Sequence, residues 1–554
     1  MCGIFFSLSR ADVSPDPNTE QLLRNRGPDS FRTHTVPIGD KLHATFVSTV
    51  LSLRGTNVVA QPLVAHSGHV LCWNGEAWSI GAKKIVVNDS SAVLDALTQT
   101  QTTPTRKAAA LHTVNVLASI RGPYAFVYYD PHSNYIFYGR DCLGRRSLLC
   151  KTTNDGTLVL SSVCDNPSGE NWEEVEADGI YMLDLAEMLD KPPQPTRIPH
   201  RRMGEEAVEE LSFDTPFPLM NQSVEPELAF SQSLHALEPS LRKSLQVRIQ
   251  HVREAIGVSD PLFIATEPRI AILFSGGLDC TILARLAHDL LPPEQSIDLL
   301  NVAFENPRIH ANLGPDESPY ELCPDRITGR SSHAELSNVC PNRLWRFVEV
   351  NVPYSDTLHH RPNVMTLMHP HNTEMDLSIS YALYFASRGR GLVSSPTTKS
   401  TYESPAHVLL SGLGADELFG GYQRHAVAYS RRGYPGLIEE LELDFNRLGK
   451  RNLGRDDRVI SDSGKEVRFP YLDEEFISVA LSLPVSAKCD FANPQSAATD
   501  DPALFLEPGK RALRLLAWNL GMKGVAAEKK RAIQFGSRTA KMETGKTKGT
   551  QVLT

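Results

Sequence analysis

Three things are missing from this 554-residue chain: a basic surface charge, an apolar run of membrane length and any paired-cysteine motif. Its 56 lysines and arginines face 65 acids, a formal charge of -9, so nothing in the composition attracts a polyanion and no nucleic-acid partner is expected. No stretch approaches the ~20 apolar residues that cross a bilayer, and the N-terminus lacks the basic and apolar regions of a secretory signal. No membrane association is expected, and the location reads as cytoplasmic. The nine cysteines, at 2, 72, 142, 150, 164, 280, 323, 340 and 489, are scattered, odd in number and without a C-x-x-C pair. That pattern argues against both a disulfide framework and a structural zinc site. What remains is an ordinary globular composition, 41% hydrophobic and 22% charged, on a chain too long for one core, so two or more domains are expected.

The chain divides by pattern. Residues 1–185 read mainly as short strands, with β-branched and aromatic runs at 125–130, 134–141, 157–162 and 180–185 and helical candidates at 90–100 and 106–120. This is an α+β domain of sheets and flanking helices. The Pro-rich polar stretch 186–227 suits a linker. From 228 to 541 a helical pattern leads into "RIAILFSGGLDCTILARLAHDLL", an apolar strand, a Gly turn and an amphipathic helix, and then "IDLLNVAF", a second apolar strand. Strand, tight loop, helix, strand is the order of a parallel α/β sheet, whose ligands bind beyond the strands' C-terminal ends. The Pro-rich segment 305–340 reads as a loop excursion and 542–554 as a disordered tail.

Two motifs carry chemistry. In "AILFSGGLDC", Ser275, Gly276, Gly277 and Asp279 occupy a strand-to-helix turn whose backbone N–H groups form an anion-binding nest. It is not a Walker A loop, which needs a lysine after its glycines. A carboxylate inside such a nest would be repelled by phosphates unless Mg²⁺ bridged them, which makes Asp279 a candidate metal ligand. The second motif, "VLLSGLGADELFGGY" at 408–422, ends another apolar strand in glycines beside Asp416 and Glu417. Either loop alone could be a turn that merely lets a helix and a strand pack; two of them at sheet ends could set Asp279 and Asp416 around one metal.

The strings "SGGLDC", "SGLGADELFGGY" and "RFPYLDEEF" resemble the synthetase half of glutamine-hydrolysing asparagine synthetases, within the ATP pyrophosphatase-loop group. "DLLNVAF", "PDRITGR", "RNLGRDDRVISDSGKEVRFPYLDEEF" and "KKRAIQFGSRTAKM" are similar to the asparagine synthetase domain-containing proteins, over nearly the whole chain and least over 186–265. The resemblance implies a reaction in which ATP activates the side-chain carboxylate of aspartate as an acyl-adenylate and ammonia then displaces AMP. It implies that Ser275, Gly276, Gly277 and Asp279 hold pyrophosphate and Mg²⁺ with Asp416 as second metal carboxylate, that Phe274, Val302, Ser411 and Gly412 surround the adenosine, and that Lys530 steadies charge on the phosphates.

The opening "MCGI" is similar to the start of class II glutaminases of the N-terminal nucleophile type, with "NRGPDS", "AQPL", "WNGE" and "RDCLGRRSLL" following. After loss of Met1, the α-amine of Cys2, with a pKa near 8, would take the thiol proton, so that one residue supplies nucleophile and base. The resemblance gives Asn74 and Gly75 the oxyanion hole, and Glu76 and Asp89 the glutamine α-amine. The implied small molecules are glutamine, aspartate and ATP with Mg²⁺, and a homodimer is compatible with the family.

Three positions depart from the family pattern. Val50 stands where members carry the arginine that binds the glutamine carboxylate; Arg54, four residues on, shares a face with position 50 if the strand continues, at about 13 Å. Leu413 replaces a glutamate assigned to proton handling during ammonia attack, which leucine cannot perform. Cys280 replaces a serine. The alternatives are therefore a ligase of the same mechanism acting on another carboxylate, or a degenerate nucleotide-binding scaffold.

Overall fold

The computed structural model describes residues 1–99, 105–165, 171–187, 193–206, 212–224, 229–250, 252, 267–314, 316–394, 398–493, 501–542 and 548–553. Two compact units emerge. The first comprises Met1–Pro216, Met365–His371 and Leu448–Gly464; the second comprises Phe217–Val364, Asn372–Arg447 and Lys465–Thr554.

Two sheets and a helical layer build the first unit. One sheet has six strands in the order Glu173–Glu174, Leu149–Thr152, Leu158–Ser161, Gly3–Ser9, Leu42–Val50, Ser30–Ile38. The other has seven, in the order Phe213–Pro218, Thr196–Met203, Gly179–Asp184, Tyr135–Arg140, Tyr124–Asp130, Val70–Gly75, Leu63–Val64. Side-chain alternation decides the layering. Along Tyr124–Asp130, Ala125, Val127 and Tyr129 meet Ile4, Phe6 and Phe46 of the six-stranded sheet. Tyr124, Phe126 and Tyr128 meet Val93, Leu94, Val114 and Leu117, from helices Asp89–Thr98 and Arg106–Ser119 on the other side. Both helices lie where periodicity places them.

The stretch 186–227, expected as a linker, contributes two strands to this sheet. Its prolines do not prevent pairing: Thr196–Met203 runs antiparallel to Gly179–Asp184 with Pro199 opposite Gly179, and Ile198 is buried in the helical layer. The unit also takes in residues from far along the chain. Helix Leu453–Ser461 is buried at every position because its charges are paired. Asp457 lies 2.8 Å from Arg26 Nη2 and accepts from Ser147 N at 3.2 Å, and Arg458 and Arg140 each lie 2.9 Å from Glu174. Removing one partner would leave the other charge buried and uncompensated.

A seven-stranded sheet organises the second unit, in the order Lys399–Glu403, Arg390–Ser394, Trp345–Val352, Ile297–Phe304, Ile270–Leu273, Val408–Leu410, Glu466–Arg468. The last five are mutually parallel and the first two antiparallel. In helix Ala229–Ile249, Leu237, Leu241, Leu245 and Ile249 recur every four residues and are buried, which gives the helix one core-facing stripe. Two sequence expectations change here. Segment 305–340 carries helix Pro324–Val339, since Pro324 sits in the first turn, where a missing N–H costs no hydrogen bond. Of the tail, 543–547 lie outside the described residues, while Glu374 N donates to Gln551 O at 2.9 Å and Leu553 N to Asn372 O at 2.7 Å. Among the described residues no helix is long and apolar enough to cross a membrane.

Buried Lys488 exposes a stability cost. Its side chain, at the end of helix Val485–Lys488, is fully enclosed, Nζ has no hydrogen-bond partner among the described residues, and burial pulls its pKa from 10.5 down to about 8. The unfolded chain binds this proton more tightly than the folded one, so stability rises as pH climbs from the folded toward the unfolded value. Lys488→Met should therefore stabilise by about 3 kcal/mol at pH 7 and only about 1 kcal/mol at pH 9.5. Thermal unfolding of both proteins at the two pH values checks this; an equal gain at both would show that packing, not charge, is responsible.

Candidate functional sites

Cys2 immediately precedes the central strand Gly3–Ser9, so the sheet fixes the thiol's position. Gln61 links it to the second sheet: its Nε2 lies 3.9 Å from Cys2 Sγ, and its Oε1 accepts from Trp73 N at 2.7 Å. Arg26, anchored by Asp457 and by Ser461 Oγ at 2.6 Å, donates from Nε to Cys2 O at 3.3 Å. Met1 is present and buried, its amine 3.3 Å from Arg26 O.

Next to Trp73, Asn74 is fully buried, and neither Oδ1 nor Nδ2 has a hydrogen-bond partner among the described residues. An amide enclosed without partners is costly unless something else uses it. Gly75 follows at the strand's end, where a Cβ would come within 2.3 Å of Pro123 O, so no other residue fits. Asp141 of "RDCLGRR" braces the same turn, accepting from Tyr124 N at 3.1 Å and from Arg145 Nε at 2.9 Å. The structure thus gathers Cys2, Gln61 and the Trp73–Gly75 strand end.

The glutamine-binding candidates form a second cluster. Arg54 Nη1 lies 3.3 Å from Glu76 Oε2, and its guanidinium also donates to Ala77 O at 3.0 Å and Ile85 O at 2.5 Å. The strand holding Val50 ends at Val50, so the shared-face relation to Arg54 does not apply; a turn brings Arg54 to Glu76 instead. Val50 itself is buried, and its carbonyl accepts from Asp29 N at 2.9 Å. Asp89 Oδ2 accepts from Trp73 Nε1 at 3.0 Å and Ala77 N at 2.9 Å. Burial raises its carboxyl pKa against the opposing pull of Arg54.

In the second unit the two Gly-rich loops end neighbouring parallel strands, Ile270–Leu273 and Val408–Leu410. They touch: a Cβ on Gly412 would lie 2.7 Å from Asp279 Cβ. Gly276, at φ +81°, passes so close to helix Pro324–Val339 that a Cβ would meet Gly329 Cα at 2.5 Å. Ser275 Oγ accepts from Gly277 N at 3.3 Å, and Tyr471 donates to Asp279 O at 3.0 Å. Phe274 is buried, with its N–H bonded to Leu300 O, and Val302 is buried farther along the neighbouring strand Ile297–Phe304. Ser411, Gly412 and Leu413 are half-buried, with Leu413 N donating to Ser411 Oγ at 3.3 Å.

Sequence reasoning missed Lys510. Its ammonium lies between the two expected metal carboxylates, 2.6 Å from Asp279 Oδ2 and 2.7 Å from Asp416 Oδ1. Lys530 closes the row at 2.5 Å from Asp416 Oδ2. Burial pushes the Asp416 carboxyl upward, but the two ammonium groups outweigh it and hold the carboxyl well below its usual range. Burial likewise opposes charge on Lys510, and the carboxylates reverse that and raise its pKa. The backbone of Lys510 is left-handed at φ 58° and pinned by Lys510 N to Phe419 O at 2.9 Å. The one signal in sequence was a lysine after "EPG" at a helix start, which a solvated cap also produces.

Asp279 Oδ1 is buried without a hydrogen-bond partner among the described residues. Among the described residues no three His, Cys, Asp or Glu side chains gather as a metal cage. Two carboxylates and an orphaned oxygen beside an anion-binding loop fit Mg²⁺, which commonly takes one or two carboxylates and completes its shell with phosphate oxygens and water.

A glutamine amidotransferase domain model matches residues 1–194, and an asparagine synthase model matches 397–439 and 430–548. The chain is 32% identical to asparagine synthetase domain-containing protein 1 of Gallus gallus, covering 99% of this chain and 98% of that one. The chain belongs to the asparagine synthetase domain-containing family. Its Homo sapiens relative of the same name is 33% identical over 98% of this chain and 96% of that one, and a Saccharomyces cerevisiae member is 34% identical over 92% and 86%. The chain joins a glutamine amidotransferase domain to an asparagine synthase region whose unit is built on a largely parallel sheet.

Proposed function

We propose that this protein is a glutamine-dependent ligase that uses ATP to convert a carboxylate, aspartate in the leading reading, to its amide. The observation that carries the proposal is the row Asp279, Lys510, Asp416, Lys530 on two touching Gly-rich loops at the ends of parallel strands. In the first half-reaction an acceptor carboxylate oxygen bonds to the α-phosphorus of ATP, and the bond to pyrophosphate breaks. Ser275–Gly277 present N–H groups to the departing phosphates, and Lys510 and Lys530 offset their charge. Asp279 and Asp416 would hold Mg²⁺, which when bound neutralises phosphate charge. In the second half-reaction ammonia bonds to the acyl carbon and AMP leaves.

Ammonia would come from glutamine at Cys2. The thiolate attacks the side-chain amide carbon, the oxyanion is received by Asn74 and Gly75, and the thiol proton passes through the α-amine to the leaving ammonia. Water then releases glutamate. Glu76 would receive the glutamine ammonium, and Asp89, whose Oδ2 already braces Trp73 and Ala77, would shape the same pocket. A cytoplasmic location and a homodimer belong to the same proposal.

Leu413 supports a specific imbalance. With no carboxylate at 413 to take a proton from attacking ammonia, activation should outrun transfer. The expected result is aspartate-dependent exchange of labelled pyrophosphate into ATP at least tenfold faster than asparagine formation with ammonia supplied, and Leu413→Glu should narrow that gap. Equal rates would show that another group takes the proton. Exchange with a different acid but not with aspartate would favour the second acceptor reading.

A further inference from the structure

One buried carboxylate beside the phosphate loop has no use in the scheme above. Asp325, in the first turn of helix Pro324–Val339, is 7% exposed, and among the described residues its side chain has no hydrogen-bond or ion-pair partner. It lies over Gly536, where a Cβ would overlap its carboxyl group. Burial raises its pKa to about 7 against the pull of Arg531, Lys530 and Arg538. Such a carboxylate is expensive to enclose unless a charged ligand completes it.

Its surroundings are also incomplete. Arg538 Nε and His310 Nε2 are buried without hydrogen-bond partners among the described residues. Both residues are fixed at the C-terminal end of strand Ile297–Phe304: Phe304 N donates to Ser537 O at 3.1 Å, Asn306 Nδ2 donates to Arg538 O at 2.9 Å, and Asn306 N donates to His310 Nδ1 at 3.0 Å. Arg531 Nη1 accompanies them, donating to Thr328 Oγ1 at 3.2 Å. The position relative to the phosphate loop follows from helix geometry. Gly329 is the residue against Gly276, and Ser332 Oγ donates to Gly276 O at 2.6 Å. Asp325 is four residues before Gly329, hence on the same helix face and roughly 6 Å farther along the axis.

We infer that Asp325 and Arg538 select the acceptor: Asp325 receives an ammonium group and Arg538 a carboxylate at the end of the acid remote from the α-phosphate. The occupant is a small acid that carries both an ammonium and a second carboxylate. This rests on the proposal that an acid is activated at the Ser275–Gly277 loop. It assigns specificity to residues outside both Gly-rich motifs.

The test compares aspartate with succinate, its analogue without the amine, in pyrophosphate exchange. For the natural protein, kcat/KM should favour aspartate by at least tenfold. Asp325→Asn should bring the two acids within about threefold, by raising the aspartate KM 10–100-fold while leaving that for succinate near its original value; Asp325→Glu should restore part of the preference. Arg538→Gln should raise KM for both acids. Undiminished preference in Asp325→Asn overturns the inference, as does an equal loss for both acids accompanied by lost ATP binding, which would mark a structural role. If the natural protein exchanges with neither acid, the aspartate reading of the proposed ligase fails, and calorimetric titration of aspartate decides the site: binding weakened by Asp325→Asn supports it, and absence of binding overturns it.

Discussion

Cys2→Ala should reduce glutamine hydrolysis at least a thousandfold while pyrophosphate exchange persists. The thiol is carried by the residue just before a central strand, with Gln61 joining it to the strand that carries Asn74. The buried Cys72 and Cys164 are poor substitutes for it: burial pushes both thiols up to about 12, which keeps them protonated. Asn74→Ala should cost less, about 100–1000-fold, since it removes one oxyanion donor and leaves the nucleophile intact. Glutamate release measured on both variants, with intact mass to show whether Met1 has been removed, decides the matter. Hydrolysis by Cys2→Ala within tenfold of the natural protein, or full activity in chains that retain Met1, would exclude an N-terminal nucleophile at this position.

The second large effect concerns Lys510. Lys510→Met should abolish pyrophosphate exchange and lower stability by about 3 kcal/mol, because it leaves the half-buried Asp279 and Asp416 close to one another without the ammonium between them. These two losses are separable. Adding Asp279→Asn to Lys510→Met removes one of the repelling charges, so the double variant should regain most of the stability and none of the exchange. Asp279→Asn and Asp416→Asn alone should each abolish exchange as well. Unfolding curves and exchange rates for the four proteins check this. Exchange in Lys510→Met near the natural rate would make the lysine a structural counter-ion only.

Much of this protein is legible in its residues because the informative patterns are local. Runs of β-branched and aromatic residues placed the strands around 125–130 and 180–185, and a strand-turn-helix order placed the Ser275–Gly277 loop, whereas the strand end that carries Asn74 came only from the structure. The first two depend on neighbours within one element, and the backbone's period reads them out directly. Prolines misled at 186–227 and at 324: Pro324 sits in a helix's first turn, where no N–H is needed, and Pro199 sits within the paired strand Thr196–Met203.

What the sequence by itself determined is the order of elements, the two-part family architecture and the loops that carry Cys2, Asp279 and Asp416. Only the tertiary structure decided that Lys510 stands between two carboxylates more than ninety positions away, that helix Leu453–Ser461 is built into the first unit through Asp457 and Arg458, and that Asp325 lies over Gly536 with no side-chain partner among the described residues. The reason is that a buried charge is specified by the energy of its surroundings in three dimensions. A lysine, an arginine or an aspartate looks the same along the chain whether water or another charge completes it, and folding alone chooses between them.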